Sequence, residues 1–328
     1  MISIIIPVYN EEDNILPLYN KLKPVLKNLG EHEIIIVDDG STDRTFQRLI
    51  ECAENDKKLK IVKFRRNFGQ SVAISYGFDH AIGEIVITMD GDLQINPSDI
   101  PEMVEQIREG SDVVCGWRKQ RKDPFLTKRV PSRVFNWLTS KMSGFKIHDI
   151  GTPFRAYRRE TVKDISGSLY GELHRYLPVL AGWRGYKVSE IEVKHNPREH
   201  GKSKYGWSRL IRGFLDLLTV YFLEKYLSRP LHLFGTIGLL SMTSGAVITL
   251  HLLIERIIYW QALEDRPLFL LGILMVLSGI QFITLGLVGE MLTRFQHENG
   301  KSKPYKVETR VNFEPLRNNS LTTNNQEE

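Results

Sequence analysis

The sequence predicts an α/β layer fold with a mostly parallel sheet, followed by a two-helix membrane hairpin. Two observations lead there. Over residues 1–120, continuous apolar runs rich in β-branched residues alternate with helix-like stretches. Near the C-terminus, Pro230 to Ile254 and Pro267 to Gly289 are runs of 25 and 23 residues without one Asp, Glu, Lys or Arg. Uninterrupted β-branched runs suit strands buried on both faces of a parallel sheet. Charge-free runs of more than about 20 residues are long enough to span a bilayer. Core helices of that length usually carry charge on one face.

The elements follow in order. Strands are expected at Ile2–Val8, Glu33–Asp38, Lys60–Phe64, Glu84–Met89 and Ser111–Cys115, with helices over 11–29, 42–56, 69–82 and 98–109. Ser41 or Thr42 is expected to cap the second helix, and Pro97-Ser98 to open the fourth. Lys128 to Phe145 has the amphipathic, basic pattern of a helix lying on a membrane surface, or equally of one packed on the domain with a solvated basic face. The expected organisation is a cytoplasmic domain over 1–204, a juxtamembrane amphipathic helix over 205–229, a hairpin over 230–291 with spans of about 231–254 and 267–289, and a polar, partly disordered tail over 292–328.

Charge orients the hairpin. Lys194 to Arg229 carries eight Lys/Arg, and Arg294, Lys301, Lys303, Lys306 and Arg310 follow the second span. The connection from Glu255 to Arg266 has two arginines and three acids. The positive-inside rule then places both ends in the cytoplasm. The net charge of +5 is concentrated beside the membrane, where a lipid phosphate would be met, and no nucleic-acid partner is expected. The opening MISIIIPVYN has neither a basic n-region nor a cleavage site, so no signal peptide is expected. Cys52 and Cys115 form no disulfide framework and read as packing residues. His148, His174, His195 and His200 lack metal-ligand spacing.

Ligands of α/β sheets bind at the carboxyl ends of the strands. Those ends read Pro7-Val8-Tyr9-Asn10-Glu11, Asp38-Asp39-Gly40-Ser41-Thr42-Asp43 and Asp90-Gly91-Asp92-Leu93-Gln94. Acidic ends make sense for a polyanionic ligand if a divalent cation, Mg²⁺ or Mn²⁺, lies between carboxylate and phosphate. An Asp after the second strand can accept hydrogen bonds from a base or a ribose.

PVYNEEDNI, IIIVDDGSTDRT, NFGQSVAISYGF and IVITMDGDLQ resemble the inverting family 2 glycosyltransferases of the Rossmann-like GT-A fold. NPREHGKSKYG, the following helix and the hairpin resemble the polyprenyl-phosphate glycosyltransferases, which include dolichyl-phosphate mannose synthase, GtrB-type glucosyltransferases and the aminoarabinose transferase ArnC. The resemblance covers about residues 1–310. It implies transfer of one sugar from a nucleoside-diphosphate sugar, UDP-hexose in preference to GDP-mannose, to a polyprenyl phosphate. It implies that Pro7, Tyr9, Glu11, Asp39 and Gly91 meet the nucleotide, and that Asp90, Asp92 and Gln94 hold metal and diphosphate. Arg118, Arg198 and Lys204 would meet phosphates. Lys128 and Ser132 match the acceptor-binding pair on the surface helix, with Arg129 and Arg133 as the alternative register. A homotetramer is implied by resemblance alone. A processive polysaccharide synthase would need more spans and a Q-x-x-R-W-type motif, which the sequence lacks. A non-catalytic nucleotide-sugar-binding protein would have no need of Asp90, Asp92, Gln94, Arg118 and Arg198.

Overall fold

A computed structural model describes residues 1–54, 56–119, 140, 147–167, 169, 173–194, 230–259, 267–298 and 305–313. The chain divides into two compact units, Met1–Leu210 with Pro304–Glu328, and Ile211–Lys303.

In the first unit the elements run β1 (Ile2–Val8), α1 (Ile15–Leu29), β2 (His32–Asp38), α2 (Thr45–Ala53), β3 (Leu59–Phe64), α3 (Gln70–His80), β4 (Ile85–Thr88) and α4 (Ile100–Arg108). There follow β5 (Val113–Trp117), β6 (Arg155–Arg158), α5 (Arg159–Ser166), α6 (Leu177–Trp183) and β7 (Val188–Glu192), and β8 (Val307–Val311) comes last. The eight described strands form one sheet in the order β7-β5-β6-β4-β1-β2-β3-β8. The β4-β1-β2-β3 centre is parallel, and β6 and β8 run against their neighbours.

The pleat sorts the apolar runs. Ile4, Ile6, Ile34 and Ile36 pack with α1, α2 and α4 on one face. Ile5, Ile35, Val37 and Val62 pack with α3, α5 and α6 on the other. Both faces are covered, which is why these strands read as continuous rather than alternating. Cys52 and Cys115 are buried and unpaired, and burial pushes the Cys115 thiol up to about 12.

Two local expectations are corrected. The second helix begins at Thr45, and neither Ser41 nor Thr42 caps it. Ser41 instead accepts from the backbone N–H of Asn10, and Thr45 N–H finds Asp43. The first helix begins at Ile15, because 9–14 is spent on a loop. The segment after the hairpin also contains a strand that the polar reading of 292–328 did not anticipate. β8 pairs antiparallel with β3, and the register shifts between Lys63 and Phe64. That bulge lets Val311 pack on one face of the sheet and Val307 on the other. Tyr305 stacks on Phe64 at 5.4 Å and meets Tyr76 edge-on at 5.2 Å. Asn312 Nδ2 donates to the carbonyl of Leu59 at 2.8 Å.

The second unit contains α7 (Pro230–Tyr259) and α8 (Pro267–Glu298). Leu231–Tyr259 and Pro267–Gly289 are each long and apolar enough to cross a membrane, and most of their side chains face outward. Five glycines line their contact at seven-residue spacing, Gly238 and Gly245 on α7 and Gly272, Gly279 and Gly286 on α8. A Cβ at Gly238 would sit 2.6 Å from the Gly279 carbonyl oxygen, and one at Gly245 2.5 Å from that of Gly272. Only glycine permits this approach, and Ser241 Oγ donates across it to Met275 O at 2.8 Å. Gly235, which shares the apolar run, meets only Leu231 of its own helix.

The clasp formed by β8 is testable. Tyr305→Ala removes a stacked ring from Phe64 and should cost about 1–3 kcal/mol, lowering the denaturant midpoint of the first unit. A midpoint identical to wild type would show that the Tyr305 ring contributes nothing to the stability of the first unit.

Candidate active site

Parallel pairing brings the strand ends together. Val8 lies opposite Asp38, and Ile5 lies between Ile35 and Thr88. The loops after β1 and β2 then hold each other. Asn10 N–H donates to Ser41 Oγ at 3.0 Å, and Thr42 N–H to Asn10 Oδ1 at 2.9 Å. Glu11 N–H donates to Thr45 Oγ1 at 2.8 Å, and Arg44 N–H to Glu12 Oε2 at 2.9 Å. Asn10 adopts the left-handed conformation (φ 55°), which Asn tolerates better than most residues. Pro7 is half-buried in the wall of this corner, and Tyr9 is exposed on it. Glu11 accepts from Asn14 Nδ2.

Asp39 is buried, and both its carboxylate oxygens accept backbone N–H groups, from Phe68 at 2.7 Å and Gly69 at 2.8 Å. Gly40 follows with φ +76°, and a Cβ there would meet Arg66 Cα at 2.7 Å. Asp38 Oδ1 accepts from Ser41 N–H at 2.8 Å, and its Oδ2 is buried without a donor among the described residues. Burial raises the pKa of both carboxyls, against the hydrogen bonds that lower it.

The Asp90–Gln94 turn follows β4. Asp90 Oδ1 accepts from Gln70 Nε2 at 2.7 Å. Gly91 leaves no room for a Cβ, which would lie 2.7 Å from Val8 Cγ1. Asp92 is buried, and its Oδ1 accepts from the N–H of Gln94 at 3.2 Å. Leu93, between them, is held at φ 60°, a conformation that costs a branched residue energy and persists only where its surroundings impose it. Gln94 is half-buried. No group of three or more His, Cys, Asp or Glu suited to a metal occurs among the described residues.

Arg118, just past β5, is held by Asp149. Its Nε donates to Oδ2 at 2.7 Å and its Nη2 to Oδ1 at 3.0 Å, and Asp149 is only 2% exposed. Glu190 on β7 accepts from the backbone N–H groups of His148 and Asp149 and pairs with His148 Nδ1 at 2.7 Å. Buried Arg155 donates to the carbonyls of Ile150, His174 and Arg175, joining two segments. Ser71 Oγ lies 2.8 Å from His174 Nδ1. The sequence-expected Lys128, Arg129, Ser132, Arg133, Arg198 and Lys204 lie outside the described residues. Gln70, Asn10 and Asp149 were missed as site residues. Gln70 stood within the NFGQ motif, while Asp149 had no signal beyond its place in His148-Asp149-Ile150-Gly151.

Two outcomes follow from this geometry. Gly40→Ala would force a side chain into the left-handed region, at about 1–2 kcal/mol, and also against the Arg66 backbone. Thermal unfolding should show a loss of about 2 kcal/mol or more, and an unchanged melting temperature would contradict the close approach. The second concerns pH. With folded-state values raised, the native protein holds protons on Asp38 and Asp39 that the unfolded chain releases. Their stabilising contribution is therefore present below the ordinary carboxylate range, about 4, and is lost as pH rises through the raised folded values. Asp38→Asn keeps an acceptor for Ser41 and should flatten that fall in urea titrations across pH 4–7.

Comparison with known proteins matches this arrangement. The family model "Glycosyl transferase family 2" fits residues 3–166, which hold all the strand ends described above. The chain is 38% identical over 311 residues to dodecaprenyl-phosphate galacturonate synthase of Rhizobium johnstonii, covering 93% of this chain and 91% of that one. It is 36% identical over 318 residues to undecaprenyl-phosphate 4-deoxy-4-formamido-L-arabinose transferase of Pseudomonas paraeruginosa, covering 96% and 91%. In fold it is similar to glucosyl-3-phosphoglycerate synthase from Mycobacterium tuberculosis, solved with Mn²⁺ and UDP-glucose, with a TM-score of 0.53 at 18% identity over 67% of this chain and 78% of that one. The architecture is the GT-A one that the resemblance implied, and the chain belongs to glycosyl transferase family 2.

Proposed function

We propose that this protein transfers one sugar from a nucleoside-diphosphate sugar to a polyprenyl phosphate, inverting the anomeric centre, at the cytoplasmic face of a membrane. The observation that carries the reading is the acidic edge built by Asp39, Asp90 and Asp92 in a chain that also has two helices long enough to span a bilayer. The names of relatives matched over more than nine-tenths of the chain support the acceptor.

The donor's nucleotide would lie against Pro7, Tyr9, Glu11, Asp39 and Gly91. UDP is the preferred base, in line with the UDP-glucose held by the structural neighbour, and GDP-mannose is the alternative. Asp90 and Asp92, with Gln94, fit a divalent cation: Mg²⁺ or Mn²⁺ is commonly held by one or two carboxylates, with substrate phosphates and water completing its shell. Such an ion would neutralise charge on the leaving diphosphate.

The acceptor needs little help to become a nucleophile. The second pKa of a phosphate monoester is about 6, so it is already anionic near neutrality. The difficulty is bringing it beside a diphosphate. Guanidinium groups bind phosphate oxygens bidentately and suit that task. Arg118 and Arg198 would align the acceptor for in-line attack, with Lys204 and the Lys128/Ser132 or Arg129/Arg133 pair holding its charge. Asp149 fixes the plane in which Arg118 is presented. The basic flanks on the hairpin support the cytoplasmic side for this chemistry.

The test is a donor screen. Purified protein in detergent, with Mn²⁺ or Mg²⁺ and undecaprenyl phosphate, is incubated with labelled UDP- and GDP-sugars, and organic-phase counts are read. Chelator-sensitive transfer from one donor is expected, while no transfer from any donor by folded, nucleotide-bound protein would overturn the reading. Arg198→Ala should lose turnover by at least about tenfold yet still bind the nucleotide. Normal turnover in that variant would remove Arg198 from the acceptor site.

A further inference from the structure

Resting on that donor-site reading, we infer that Gln70 is a positioning residue for the metal: its side-chain amide fixes the carboxylate of Asp90 in the orientation that takes the divalent cation. Three observations on different elements converge on it. Gln70 is the first residue of α3, and its Nε2 donates to Asp90 Oδ1 at 2.7 Å, across 20 residues of sequence. The backbone just before it is anchored, because Phe68 and Gly69 N–H both donate to buried Asp39. The residue just after it is anchored as well, since Ser71 is fully buried against His174. The Gln70 stem therefore leaves a turn held on both sides, and its reach toward Asp90 is set by the fold.

The rest of the acidic turn is fixed by its own backbone. Asp92 is tied to Gln94 N–H, Gly91 is pressed on Val8, and Leu93 is left-handed. Asp90 is the more exposed of the two carboxylates, and the torsion that turns a carboxylate about its stem is broad and weakly restrained. The Gln70 amide restrains it from outside the turn. The chemistry of that donor matters. A lysine or arginine at position 70 would cancel the charge that attracts the cation. An amide restrains the carboxylate and leaves its charge in place. Loss of such outer partners typically weakens metal binding about 10–100-fold.

Gln70→Met tests this, because it keeps the length and bulk of the side chain and removes the donor. Whichever of UDP or GDP wild type binds with Mn²⁺ is titrated calorimetrically into wild type and variant, once with Mn²⁺ and once with chelator. The inference expects the affinity in chelator to be unchanged and the gain on adding Mn²⁺ to fall by about tenfold or more. A merely structural role at the start of α3 would weaken both titrations alike, and that result overturns the inference, as does an undiminished Mn²⁺ gain. Gln70→Glu, which restores no donor at neutral pH, separates hydrogen bonding from bulk: a wild-type Mn²⁺ gain in the Met variant with a loss in the Glu variant would also overturn it. Wild type that binds neither nucleotide more tightly with Mn²⁺ would instead overturn the donor-site reading, and the inference with it. Steady-state rates give a second readout. The Mn²⁺ concentration for half-maximal rate should rise in Gln70→Met while the KM for polyprenyl phosphate stays put.

Discussion

Four residues, Phe68 to Ser71, at the turn into α3 bond to three other segments. Gly69 and its neighbour Phe68 give their N–H groups to Asp39 after β2, Gln70 reaches Asp90 after β4, and Ser71 meets His174. Each of these segments is fixed by a bond to that one turn. The turn itself depends on the parallel sheet beneath it, which brings the carboxyl ends of β1, β2 and β4 to a common edge. Lose the turn and the carboxylates of Asp39 and Asp90 lose these donors.

The partners chosen for those carboxylates explain the electrostatics. Asp39 is held by backbone N–H groups, Asp92 by the N–H of Gln94, and Asp90 by an amide. Each of these donors is a neutral group. Asp149 differs. It is paired in bidentate fashion with Arg118, and Glu190 braces the backbone of that pair through His148 and Asp149 N–H. The Arg118 guanidinium is thus held in a fixed orientation. Preorganised charge of this kind needs little rearrangement when a reaction begins.

The parts legible in the sequence are those encoded locally. Continuous Ile and Val runs gave the central strands because both sheet faces are covered, and charge-free runs gave the hairpin helices. Asp38–Asp43 and Asp90–Gln94 stood out because each follows such a run. What stayed hidden depends on long-range pairing. VETRV alternates and lies in a polar segment, so only β3 and the rings of Phe64 and Tyr76 reveal it as a strand. Ser41 looked like a helix cap until its true partner, Asn10, 31 residues away, was in place. Gln70 and Asp149 act on residues 20 and 31 positions distant, and although Gln70 lies in the NFGQ motif, nothing local marks its partner or that of Asp149.

The central claim is a single transfer onto a lipid phosphate, and the mass of the lipid product tests it most directly. Protein supplied with excess donor and polyprenyl phosphate should yield one species, heavier than the acceptor by one sugar residue and carrying an inverted anomeric centre by NMR. A ladder of increments would identify a processive enzyme, and a single product with retained configuration would contradict in-line displacement at this site.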